Sequence, residues 1–249
     1  MNRQYLREIL LRSPLPPDSY LNDLPAVRYL AQGHRLILDA PVSFLVGENG
    51  TGKSTLLEAV AVACGFNAEG GSRNFRFSTR DTHSELGGYL TVVRGDYPQD
   101  GFFLRAESFY NVASEVDDLD RIDDLLDSYG GVSLHKQSHG ESFLALVQNR
   151  FGGHGLYLLD EPEAALSPTR LMSLMILLRQ LTENGSQFLI ATHSPILMAF
   201  PGARIYELSD TGIRQTAYRE TEHYRLTKRF LNDPESMLRE LFEDSDETN

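Results

Sequence analysis

The chain has 249 residues, 41% of them apolar, with a single cysteine and no tryptophan. That suffices for one large α/β unit with its own core, and it excludes a disulfide scaffold and a disordered chain. The formal charge is −12, yet Glu115–Asp127 contributes a net −6 and Glu243–Asn249 a further −4, so the body is nearly neutral and a broad basic face for nucleic acid is not expected. No apolar run approaches the roughly 18 residues needed to span a bilayer. The opening MNRQYLREILLRS is too charged for a secretory signal, so a reducing, cytoplasmic setting is expected.

In chain order, Tyr5–Arg12 has the spacing of a short amphipathic helix ended by Pro14, Pro16 and Pro17. Ala26–Tyr29 and His34–Leu38 read as short strands. Val42–Val46 reads as the first core strand, followed by a glycine-rich turn and a helix to about Cys64, a packing residue. Gly65–Asp81 carries Arg73, Arg76 and Arg80 among Phe75 and Phe77, either as a loop near a ligand or as a twisted strand with solvated arginines. Tyr89–Val93 and Phe102–Leu104 read as strands. Asn111–Tyr129 sets Val112, Val116, Leu119, Ile122, Leu125, Leu126 and Tyr129 at helical spacing, which puts its acids on an outer face.

Ser138–Phe151 reads as the next helix, opening with Ser138 and Glu141 at capping-box spacing. Leu156–Leu159 is a buried strand delivering Asp160 and Glu161. Ser167-Pro168 starts a helix that runs through Leu181, and Gln187–Ala191 is a strand broken by Thr192-His193-Ser194-Pro195. Arg204–Leu208 and Ile213–Tyr218 form a hairpin across Asp210-Thr211-Gly212. Two helices close the chain, one after Thr221 and one from Asp233-Pro234. Such alternation gives an α/β fold: a mainly parallel sheet with helices on both faces, an antiparallel β edge and an inserted helical lobe at about 106–150, all within one domain over 1–249.

The chemistry centres on VSFLVGENGTGKST. The pattern G-x-x-x-x-G-K-[ST] runs from Gly47 to Ser54 between a strand and a helix, where a phosphate-binding loop works. The backbone N–H groups of Glu48, Asn49, Gly50, Thr51 and Gly52 would cradle a β-phosphate. Lys53 would neutralise the β/γ oxygens, Ser54 would ligate Mg²⁺ and Thr55 would reach the α-phosphate. Asp160 and Glu161 arrive at the sheet's carboxyl edge, Asp160 to hold Mg²⁺ through water and Glu161 to polarise the attacking water. His193 follows a strand to the same edge, where an imidazole would contact a γ-phosphate. Gln137-Ser138-His139-Gly140-Glu141 offers Ser138, Gly140 and Glu141 at a helix N-terminus as a second anion site. One chain already has a complete phosphate loop, so this second site is expected to face another subunit, giving a head-to-tail dimer with ATP sandwiched at the interface.

The ordered set GENGTGKS, SHGES, LYLLDEPEAALSP and ATHSP resembles the ATP-binding-cassette ATPases, in particular the soluble branch with Rad50, SMC and RecF-like heads. The wording around the motifs is similar to small stand-alone bacterial ATPases of the AAA type. The resemblance covers nearly the whole chain and implies ATP hydrolysis by a closed dimer, Ala164–Pro168 as the dimer-contact loop, and Ser138 and Gly140 acting in trans. It departs from the family at His139, where a glycine is usual, and at Gln137, where leucine is usual. Glu107 stands near the place of the lobe-linking glutamine, where it would ligate Mg²⁺ through water. Tyr20, Arg28 and Tyr29 are candidates for stacking on adenine. No heptad arm separates Thr55 from Ser138, so a Rad50-type machine is not expected. Four functions are weighed: a Mg²⁺-dependent ATPase driving an unknown process, an ATP-dependent regulatory module acting on an effector protein, the nucleotide-binding subunit of a transporter, and a phosphate-loop kinase, which accounts for GENGTGKS but leaves SHGES and ATHSP unexplained.

Overall fold

A computed structural model describes residues 4–72, 84–107, 109 and 139–246. Three continuous apolar runs form strands buried along their whole length: Val42–Gly47 (β3), Gly155–Asp160 (β7) and Gln187–Ala191 (β8). Strands of this kind need cover on both faces. Gly71–Ser72 (β4), Asp100–Arg105 (β6), Arg204–Ser209 (β9) and Gly212–Thr216 (β10) complete a seven-stranded sheet of order β10-β9-β3-β8-β7-β6-β4. The five inner strands are mutually parallel, and β10 and β4 pair antiparallel at the two edges.

Side chains alternate across this sheet and feed two cores. Leu45, Leu158 and Leu189 face a cluster built with α2 (Lys53–Ala63) and α1 (Pro25–Ala31). Phe44, Tyr157, Leu159 and Phe188 face a second, with Phe143, Leu146 and Val147 of α3 (His139–Arg150) and Leu171, Leu174 and Leu178 of α4 (Pro168–Glu183). Each fully buried Leu or Phe is worth roughly 1.5–3 kcal/mol of transfer free energy, so both faces of the sheet contribute to the core. A short α5 (Pro195–Met198) follows β8, and α6 (Glu222–Asn232) and α7 (Pro234–Asp246) end the described chain. Among the described residues no helix is long and apolar enough to cross a membrane.

Two expectations are corrected. Tyr5–Arg12 is not a helix: Leu6–Leu11 (β1) is the centre of an antiparallel three-stranded sheet with Leu36–Ile37 (β2) and Leu90–Arg94 (β5). The Gln187 side chain ties it to the main sheet, its Oε1 accepting from the Tyr5 and Leu6 N–H groups and its Nε2 donating to the Leu6 carbonyl. Ala26–Tyr29 is not a strand: it lies inside α1, with Pro25 at the first helical position, where its fixed φ and missing N–H cost nothing. The acidic segment Asn111–Tyr129, the arginines Arg73, Arg76 and Arg80, and the lobe between 110 and 138 lie outside the described residues, as does Ser138.

Candidate functional site

The turn Glu48–Gly52 leaves β3 at the carboxyl edge of the sheet and ends as the N-cap of α2. Gly50 and Gly52 have φ of 83° and 93°, a left-handed backbone that only glycine adopts freely. Glu48, Asn49 and Gly50 are exposed, whereas Thr51, Gly52 and Lys53 are buried. The turn is braced: Thr51 Oγ1 donates to the Glu48 carbonyl (2.9 Å), and the Thr51 carbonyl accepts from Ala26 at the start of α1. Lys53 Nζ donates to the Glu48 carbonyl at 3.0 Å. Burial lowers the Lys53 pKa, and the charges of Glu161, Asp160, Glu48 and Glu163 oppose that shift. Ser54 and Thr55 occupy the first turn of α2, both half-buried.

β7 brings Asp160 to this turn. Ser54 Oγ donates to Asp160 Oδ1 at 2.9 Å. Arg105 Nε stands 3.4 Å from Asp160 Oδ2, and Arg105 Nη1 binds Glu58 Oε2 of α2 at 2.7 Å. Burial pushes the Asp160 carboxyl up to about 6, against the Arg105 charge and the Ser54 hydrogen bond, with Glu161 and Glu107 adding to the rise. Two hard oxygens, a serine hydroxyl and a buried carboxylate, thus converge beside the turn. Mg²⁺ keeps several waters and takes few protein ligands, so this donor set fits it with phosphate oxygens completing the shell. Glu107, exposed beyond β6, is near enough to bear on the charge of Asp160.

Glu161 has φ 48° and ψ 53°, a left-handed conformation unusual for a residue with a Cβ, and its N–H donates to the Ala191 carbonyl of β8. That kink turns its carboxylate toward His193, whose Nε2 lies 3.4 Å from Glu161 Oε1. The His193 backbone is held by Glu163, whose Oε1 accepts from the His193 N–H and from Thr192 Oγ1 (2.7 Å). On its other side, His193 Nδ1 is 3.1 Å from Nε2 of His223 on α6.

Lys53, Ser54, Asp160, Glu161 and His193 therefore meet at one sheet edge. The described start of α3 packs on the segment that follows Glu161. Gly140 is buried against the Ala165 carbonyl and the Arg170 side chain, and Glu141 pairs with Arg170 at 3.0 Å. Of the adenine candidates, Tyr29 stacks on His34 with ring centroids 4.3 Å apart, Arg28 donates to the Asp210 carbonyl, and Tyr20 is exposed. Beside the turn opens a groove of about 1030 Å³, walled by Asp23 and Pro25, by the β9–β10 hairpin and by Arg225 and Arg229 of α6. Sequence reasoning missed Arg105, Glu163 and His223. Arg105 is the strand partner of Asp160, and Glu163 follows Asp160 by three residues, so both were within reach. His223 carries no local signal.

Family models match two stretches: one described as "AAA domain" over residues 27–115, and one described as "AAA domain, putative AbiEii toxin, Type IV TA system" over residues 142–199. The chain is 27% identical over 191 residues to the macrolide export ATP-binding/permease protein MacB of Hahella chejuensis, a match covering 67% of this chain and 28% of that protein's length. Among solved structures, CbiO1 of Clostridium perfringens, part of the ABC transporter complex CbiONQ, superposes with a TM-score of 0.51 at 18% identity, covering 96% of this chain and 99% of that one. The SMC head domain of Thermotoga maritima gives 0.44 at 13% identity, covering 86% and 98%. The glycine-rich turn, the sheet order and the superposition on CbiO1 agree on a P-loop α/β fold like that of ABC ATPases, and the two AAA-domain matches fall on the stretches that build the turn and the strands beside it.

Proposed function

We propose that the chain hydrolyses ATP to ADP and phosphate with Mg²⁺, as a head-to-tail homodimer that closes on nucleotide. The observation that carries this reading is the convergence of Lys53, Ser54, Asp160, Glu161 and His193 on one edge of the sheet. The N–H groups of Glu48–Gly52 hold the phosphates, and Lys53 leaves the Glu48 carbonyl for the β/γ oxygens. Ser54 would ligate Mg²⁺ directly, and Asp160 and Glu107 would hold it through water; bound there, Mg²⁺ would supply positive charge to the phosphate oxygens. Glu161 orients and polarises the attacking water, and His193 meets the γ-phosphate.

Gly140, Glu141 and Ser138 act on the nucleotide of the second copy, with Ala164–Pro168 at the contact. Gly140 already packs on Ala165, so the two candidate dimer elements form one continuous surface. The cycle is coupled to a partner or process, for which an effector protein is one candidate. The chain matches 28% of the length of the exporter MacB, so a permease partner is one candidate class, and a toxin-type effector, from the words of the family description, is another. We place the protein in the cytoplasm and read 1–249 as one ATPase unit.

The test is Glu161→Gln with ATP and Mg²⁺, measured for turnover and for mass in solution. We expect ATP binding to persist, turnover to fall roughly 100-fold or more, and the mass to double. Parental-rate hydrolysis removes Glu161 from the reaction, and a single-subunit mass with bound ATP removes the dimer. A trapped dimer together with parental turnover near zero assigns the chain to a regulatory module instead.

A further inference from the structure

The start of α6 is bolted beside the phosphate loop. Thr221, fully buried, caps it: its hydroxyl accepts from the Tyr224 N–H and donates to the Tyr218 carbonyl. The Glu222 N–H donates to Glu207 Oε1 of β9 at 3.0 Å. These contacts leave His223 little freedom, and they set its Nε2 at 3.1 Å from Nδ1 of His193, with ring centroids 5.3 Å apart. The outer nitrogens of the pair, His193 Nε2 and His223 Nδ1, are buried without a hydrogen-bond partner among the described residues. Glu161, His193 and His223 are thus neighbours in turn, from the carboxylate assigned to the attacking water to the start of α6.

A nitrogen–nitrogen contact of this length needs one proton between the two rings, so one imidazole donates and the other accepts. If His193 donated from Nδ1, the lone pair of its Nε2 would point at the Glu161 carboxylate and at the place of a γ-phosphate oxygen, and like charge would repel. If His223 donates, the proton of neutral His193 sits on Nε2, where it serves both. We propose that His223 is a positioning residue for hydrolysis: its Nε2–H donates to Nδ1 of His193 and so holds the His193 proton on Nε2, facing Glu161 and the γ-phosphate.

The proposal rests on the hydrolysis reading above. Burial and then the neighbouring ring of His193 lower the His223 pKa; Lys53 pushes the same way, while Glu48 and Glu222 oppose it. A neutral His223 at pH 7 is consistent with that balance.

The test pairs a tautomer measurement with turnover. Long-range proton–nitrogen spectra of histidine-labelled protein are expected to show His193 as the Nε2–H tautomer in the parental protein and in His223→Gln, whose amide nitrogen still donates. In His223→Leu that preference is expected to be lost. Turnover of His223→Leu is expected to fall roughly 10- to 100-fold with the ATP KM nearly unchanged, and Gln to restore most of it. A His193 Nδ1–H tautomer in the parental protein overturns the proposal even if hydrolysis is robust. So does a folded His223→Leu protein turning over within about twofold of parental. If the Leu variant fails to fold, the parental and Gln spectra decide alone. Because the spectra need no turnover, a protein that does not hydrolyse ATP defeats the hydrolysis reading separately.

Discussion

Arg105 and Asp160 are strand partners on β6 and β7, and the arginine bridges two elements of the candidate site: its Nε stands 3.4 Å from Asp160 and its Nη1 2.7 Å from Glu58 of α2. Glu58 also accepts the Ser84 N–H at 2.8 Å. Glu58 and Asp160 are both buried, so removing the cation leaves two carboxylates in low dielectric with less to offset them. Arg105→Ala is expected to cost about 3 kcal/mol of stability. The loss should be smaller on a Glu58→Gln background, giving a coupling of about 1–2 kcal/mol in a double-mutant cycle. Urea unfolding of the four proteins measures it, and strictly additive losses would show that the bridge contributes nothing.

Glu163 anchors the segment that carries His193. Its Oε1 takes both the Thr192 hydroxyl and the His193 N–H, while its Oε2 is buried without a hydrogen bond among the described residues. Glu163→Gln keeps an acceptor for these donors and is expected to stay close to parental. Glu163→Ala removes a charged acceptor from two donors and should cost about 2 kcal/mol. It should also lower turnover roughly tenfold with little change in ATP affinity, since a loosened His193 costs positioning and not binding. Equal losses in turnover and affinity would place Glu163 in nucleotide binding instead.

The parts of the fold written in local chemistry were readable from the sequence, and the parts settled by distant contacts were not. The loop Gly47–Ser54 could be placed because its glycines, lysine and serine must stand at that spacing between a strand and a helix. The starts of α4 and α7 at Pro168 and Pro234 follow from a cap residue plus proline, and Ser167 indeed accepts the Arg170 N–H. Leu6–Leu11 carries apolar residues compatible with helix or strand, and the choice is made by β2, β5 and the amide of Gln187, some 180 residues away in sequence. Ala26–Tyr29 is too short to show a helical period by itself, and Pro25 at the first helical position marks the start of α1. His223 lies on a helix whose charged sequence says nothing about which neighbour it meets. The Arg28 and Tyr29 side chains, weighed for adenine, are engaged with Asp210 and His34.

Gly140 marks where α3 leans on the loop after Glu161. A Cβ at this position would lie 2.6 Å from Arg170 Nη1 and 2.9 Å from the Ala165 carbonyl. The arginine head can swing aside; the backbone carbonyl cannot. Gly140→Ala is expected to push the helix start off Ala165, costing about 1–3 kcal/mol. On the Glu161→Gln background it should weaken ATP-dependent doubling of mass more than ATP binding itself. Light scattering against nucleotide titration separates the two, and an unchanged dimer would take α3 out of the interface.

At the opposite end of β6 from Arg105, Asp100 ties β6 to the end of α3 and to β7. Its carboxylate accepts the Tyr157 hydroxyl at 2.7 Å and the Gly152 N–H at 3.1 Å, and it pairs with Arg150 at 2.9 Å. Burial alone would raise this carboxyl, but the Tyr157 hydrogen bond, the Arg150 charge and the Gly152 N–H together hold it below the usual carboxylate range, and burial beside that carboxylate raises the Tyr157 phenol. A carboxylate with a depressed folded pKa adds stability above its unfolded pKa of about 3.9 and loses it as pH falls through the folded value. Asp100→Asn puts an amide where three donors converge and is expected to cost about 2 kcal/mol at pH 7. That penalty should shrink as pH drops below about 4, because the parental protein then loses its own advantage. Urea unfolding of both proteins at neutral and acid pH tests the sign: a difference that stays constant or widens on acidification would mean the carboxylate charge is not what holds this corner together.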